Sequence, residues 1–116
     1  MSHPVDLQTV HLEYSSLAAV VKKKVRTFEA VLAAAGEDEN AISDTQYNAM
    51  LSDVFELLDR GQILRYQLVN LYTTSKDPAF LNNYGKTVDG LNMMTERLMH
   101  FLDDLNARCP SKINIS

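Results

Sequence analysis

Tryptophan is absent, cysteine occurs once, and the four glycines and three prolines are scattered instead of clustered. The lone cysteine, Cys109, forbids an intramolecular disulfide and leaves no zinc-binding or dithiol motif, so the chain reads as cytoplasmic and not secreted. It precedes Pro110 at the end of the last apolar ladder, where a terminal thiol without special reactivity is the simplest reading. Because Gly36, Gly61, Gly85 and Gly90 are isolated, no phosphate-cradling loop is written. The longest apolar run, Leu17 to Val21, falls far short of the ~20 residues a spanning helix needs, so no membrane insertion is expected. The N-terminus shows neither a basic cluster followed by an apolar stretch nor a small-residue cleavage site, and no signal peptide is expected.

What is present is the material of one folded domain. With 116 residues, 46% hydrophobic and 22% charged, the chain is long enough for a single core, and residues 1–116 are read as one helical domain. A net charge of −4 sets the summed field against nucleic acid and anionic membranes. Residues 1–58 hold nine acidic and four basic side chains, residues 59–116 six and seven, so the N-terminal half carries the net negative charge.

One apolar heptad ladder is written in three places. Its rungs are Leu7, Val10, Tyr14, Leu17, Val21, Phe28 and Val31; then Tyr47, Met50, Val54, Leu57, Leu64, Leu68 and Leu71; then Leu81, Tyr84, Val88, Leu91, Leu98, Leu102 and Leu105. Alternating steps of three and four specify amphipathic helices that pack side by side. The spacing predicts helices over about 5–35, 44–74 and 78–108, an acidic connection over 36–43 and a C-terminal tail over 109–116. Gly36 is the expected stop of the first helix. Ser43-Asp44-Thr45-Gln46 fits a capping box, with Ile42 and Tyr47 placed as a hydrophobic staple. Asp77 and Pro78 fit the cap and first position of the third helix. Short connections force antiparallel neighbours, so the expected fold is all-α: an elongated up-down-up three-helix bundle with coiled-coil-like packing. Breaks at Gly61 or Gly85 would give four shorter helices, and Asn82, Asn83, Gly85 and Gly90 weaken the start of the third.

Most candidate chemistry fails on spacing. Glu96 and His100 share a helix face, yet two ligands without a second pair fall short of a metal site. Asp103 and Asp104 point about 100° apart and do not converge as an acid and a base. No Ser, Cys or Lys is followed by a base and an orienting group. Lys22, Lys23, Lys24 and Arg26 spread over more than half of a helix circumference, which suits a solvated face and counts against nucleic-acid binding. No catalysis, metal or cofactor is expected.

Two features remain. Each ladder has one weak rung, Lys24, Gly61 and Thr95, and counting along the helices puts all three within roughly 10 Å of mid-height. They are a candidate central polar layer, although Val25 can stand in for Lys24, and Gly61 can simply let two backbones approach. The second feature is surplus apolar surface: Phe55, Ile63, Tyr66 and Val69 on the far side of the second helix, with Met93, Met94 and Phe101 on a flank of the third. Contiguous apolar rows outside a core stripe suit a helix-to-helix contact, and Met suits adaptable packing.

The reading is a noncatalytic protein-interaction module that presents an apolar helical face for homodimerisation or for another helical chain. Its alternatives are a small cytosolic secretion or assembly chaperone or adaptor, and a ligand-binding bundle that uses the central layer. Bundles of this length recur in cytoskeletal repeats, membrane-fusion regulators and secretion chaperones, so the fold alone does not choose.

Overall fold

Helix boundaries fall where local side-chain chemistry sets them. In the computed structural model, which describes residues 7–112, α1 spans Leu7–Ala35, α2 spans Asp44–Thr74 and α3 spans Pro78–Arg108. The expected start of the first helix near Val5 lies outside the described residues. Gly36 ends α1 at φ +61, a conformation that costs glycine nothing. The connection that follows holds a short 3-10 turn, Glu39–Ala41, before Ile42 drops into the core. At the start of α2 the Gln46 amide donates to Ser43 Oγ and the Ser43 amide donates to Gln46 Oε1, both at 3.0 Å. This is the capping box, and the burial of Ile42 and Tyr47 beside it fits the staple. Asp77 caps α3 by accepting from the Ala79 amide at 2.9 Å, with Pro78 at the first helical position.

Three helices of about 30 residues, each roughly 45 Å long, account for an outline of 54 × 28 × 18 Å. Both α2 and α3 run unbroken through their glycines, so the four-helix variant is not what forms. All seven rungs of α2 are buried. In α1 the buried row drifts from Val10, Leu17 and Val21 to Val25 and Leu32, leaving Phe28 and Val31 half-buried. That drift is the difference between a period of 3.5 and a helix of 3.6 residues per turn. In α3 the core holds Leu91, Leu98, Leu102 and Leu105 and widens to take in Phe101, while Leu81 is left exposed near the start.

Gly90 has a tertiary role that local propensity does not reveal. The Tyr14 hydroxyl of α1 lies where a β-carbon on Gly90 would stand, with the ring carbon Cζ only 3.0 Å from that position. A helix-weakening residue is thus what lets α1 and α3 come together with a tyrosine between them.

The end of the bundle where α1 and α3 finish and α2 begins is tied by polar groups. The Arg108 guanidinium donates to the Gly36 carbonyl at 2.7 Å and to the Leu32 carbonyl at 3.3 Å, which also accepts from the Gly36 amide at 3.1 Å, and so places a cation at the C-terminal end of α1. Lys112 pairs with Asp44 at 2.7 Å, and the Ser111 amide donates to Glu39 Oε1 at 3.2 Å. Arg108→Ala is expected to lower stability by about 1 kcal/mol, since charged hydrogen bonds in a partly solvated place keep only part of their strength. Urea unfolding measures the loss, and amide exchange should show it concentrated at residues 32–36; uniform exchange would contradict the capping role.

Candidate interaction surface

The outward face of α2 is built by the same periodicity that buries the inward one. Phe55, Ile63, Tyr66 and Val69 lie off the ladder rows, and they are 56%, 53%, 71% and 45% exposed. Between them Asp59 and Gln62 are also exposed, and Leu51 and Leu58 edge the face half-buried. Toward the C-terminal end Tyr72 extends the apolar surface, with its ring centred 4.3 Å from that of Tyr84 on α3; Phe80 adds an edge-on ring 6.0 Å from Tyr84. Tyr72 was not among the expected contact residues. Its signal was a further step of three from Val69, masked by the neighbouring rung Leu71.

On α3 the expected set divides. Met93 is 70% exposed, but Met94 is half-buried against the core, and Phe101 is only 2% exposed. The Phe101 ring centre lies 5.5 Å from that of Phe28 on α1, so Phe101 belongs to the core and not to a surface. The physical reason is that α3 buries an arc wider than a two-in-seven seam, which takes in the row beside it.

The weak rungs do not assemble into a polar layer. Lys24 turns out of the core and its ammonium meets the Asp53 carboxylate of α2 at 2.9 Å, both side chains staying partly solvated. Gly61 lies under Leu17, whose Cδ2 is 3.9 Å from where a β-carbon would stand. Thr95 donates to the Leu91 carbonyl of its own helix at 3.0 Å. Among the described residues no polar or charged side chain is buried, so mid-height is apolar packing with polar groups at its rim.

An open groove of about 510 Å³ runs between the starts of α1 and α3, lined by Leu7, His11, Tyr14, Phe80 and Lys86 among others. Asp77, Asn83 and Thr87 complete its polar lining, so the wall carries both a carboxylate and a cation. At the opposite end Cys109 is fully enclosed, and burial first, then the Glu39 carboxylate, pushes its thiol up. Tyr47, whose hydroxyl donates to Asn106 Oδ1 at 2.7 Å, is raised by burial and then by Cys109. Lys112 is raised chiefly by its hydrogen bond to Asp44.

All three shifts have the same sign. Each group holds its proton more tightly in the folded chain, so the stability they contribute is full below their unfolded values and drains away as pH rises through the folded ones. Unfolding free energy should therefore fall above about pH 9, where the unfolded thiol begins to ionise first. Urea midpoints across pH 7 to about pH 11 measure this, and a flat profile would contradict it. Within the described residues no helix is long and apolar enough to cross a membrane. Comparison of the chain with protein-family models, with curated proteins and with solved structures returned no match.

Proposed function

We propose that the chain is a noncatalytic protein-interaction module that docks a helical chain, its own or another, on the outer face of α2. The observation that carries this reading is the row of Phe55, Ile63, Tyr66 and Val69, each at least 45% exposed, on a helix whose opposite face is fully packed. An apolar row that served only the fold would be covered by the fold. Rows of this kind are what an amphipathic partner helix covers, and aromatic side chains supply much of the binding energy in such contacts. The α3 side adds Met93, at 70% exposure, but neither Met94 nor Phe101. With one cysteine the chain suits a reducing compartment, and we place it in the cytoplasm. A secretion or assembly chaperone would use the same face toward the amphipathic segment of a client.

Phe55→Asp combined with Tyr66→Asp tests the face. Because both side chains lie off the core, circular dichroism and the urea midpoint should stay within about 0.5 kcal/mol of the parent chain. The same change should abolish self-association and the capture of protein partners from lysate by the immobilised chain. Retention of both by the doubly substituted chain overturns the reading.

A further inference from the structure

Past Arg108 the chain turns back over the end of the bundle. Pro110 has no amide with which to prolong α3, and Pro110–Lys112 form a 3-10 turn in which the Lys112 amide donates to the Cys109 carbonyl at 3.0 Å. The turn is fastened at two places. The Ser111 amide donates to Glu39 Oε1 in the connection at 3.2 Å, and the Lys112 ammonium donates to Asp44 Oδ1 at the start of α2 at 2.7 Å. The Lys112 side chain is 13% exposed, so its stem lies along the protein, whereas the carboxylate that receives it is 86% exposed. At the root of the turn Cys109 is 0% exposed. After burial, the charges that act on its thiol are those of the fastening residues: Glu39 pushes it up and Lys112 pulls it down.

The turn and the bundle are held by different forces. The helices are joined by buried apolar rungs, and separating them wets the whole core. Among the described residues the turn is held by an ion pair at the surface, one amide-to-carboxylate hydrogen bond and one bond within the turn. Water replaces such groups at small cost. Lifting the turn wets little more than a thiol and a lysine stem, and openings of that size have free energies well below that of global unfolding. Both anchors belong to segments that stay in place when the turn lifts, Asp44 in α2 and Glu39 in the 3-10 turn before it, so closure needs no refolding.

We infer that residues 109–112 are a strap that opens and recloses over this end of the bundle while the three helices stay folded, and that Lys112 and Glu39 set how often the Cys109 thiol meets solvent. The strap is separate from the α2 docking face and does not depend on it. Closed, it keeps the thiol protonated and out of reach; open, it presents an ordinary exposed thiol.

Thiol labelling with dithiobis-nitrobenzoate tests the strap. The Cys109 thiolate, its proton lost to buffer, attacks one sulfur of the reagent; a mixed disulfide forms and the coloured thionitrobenzoate leaves. In the parent chain labelling should be at least about tenfold slower than in the urea-unfolded chain, and it should change little with urea along the folded baseline, because a short strap exposes little surface. Lys112→Met, which keeps the stem and removes the ammonium, should speed labelling about two- to fivefold, as should Glu39→Ala, while Lys112→Arg should stay near the parent. Loss of the cation alone would slow labelling by raising the thiol further, so acceleration in Lys112→Met reports opening. Leu68→Ala, about 36 Å from Asp44 along α2, should lower the urea midpoint and leave labelling within about twofold. Labelling that climbs steeply from the first urea, or that Leu68→Ala speeds in proportion to its loss of stability, means that only global unfolding reaches the thiol and overturns the strap. So does a parent chain that labels as fast folded as unfolded, or labelling indifferent to both Lys112→Met and Glu39→Ala.

Discussion

Leu68→Ala is expected to lower the unfolding free energy by about 2–5 kcal/mol, the range for truncating a fully packed leucine in a core that relaxes only in part. Leu68 is 1% exposed, among the most enclosed side chains of the middle ladder. Its loss combines the transfer free energy of the removed carbons with a cavity that helices of fixed backbone cannot close. The adjacent Val69, at 45% exposure, is the internal control. Val69→Ala should change stability by no more than about 0.5 kcal/mol, so two neighbouring residues are expected to differ severalfold because they face opposite sides of one helix. Urea unfolding of both variants decides it. Equal losses would mean that the outer face of α2 is packed and is not available for docking.

The second large effect is a reversal of sign between two glycines of one helix. Gly85→Ala should stabilise the chain by about 0.5–1 kcal/mol, because alanine is the better helix former and a β-carbon there meets nothing within 4 Å. Gly90→Ala gains the same propensity but drives a β-carbon into the Tyr14 hydroxyl and ring. Tyr14 is half-buried and its ring is rigid, so either it leaves its site or α1 and α3 separate. Overpacking of this kind costs about 1–3 kcal/mol, which outweighs the propensity gain. Tyr14→Phe in the Gly90→Ala background should recover part of the loss by removing the overlapping oxygen. It should not recover all of it, since Cζ remains 3.0 Å from the new carbon. If both glycine variants are stabilised alike, the close approach of α1 and α3 at this point is wrong.

Much of the fold was legible because its signals are local. The capping box at Ser43 and Gln46, the Asp77–Pro78 start and the Gly36 stop each involve residues within a few positions of one another, and each appears where the pattern put it. Seven regular apolar rungs on the middle helix were enough to mark its buried face. The outward row of Phe55, Ile63, Tyr66 and Val69 was legible for the same reason, as the complement of that face. Less was legible on α3. Met94 and Phe101 share a row that single-helix periodicity assigns to a flank, and only the position of α1 and its Phe28 makes that row interior. The weak rungs were similarly ambiguous, because whether Lys24 stays in or turns out depends on Asp53, 29 residues further along the chain.

The chain by itself determined three amphipathic helices, their ends and the solvent side of α2, since helix formation and capping are settled by side chains three and four residues apart. Tertiary structure decided how wide each buried arc is, which polar residues escape the core and why Gly90 is glycine. Those outcomes turn on distances between helices, and no periodicity within one helix contains the position of another. The outward row of Phe55, Ile63, Tyr66 and Val69 belongs to both: its spacing is written in the sequence, but its standing as an exposed surface required the opposite face of α2 to be filled.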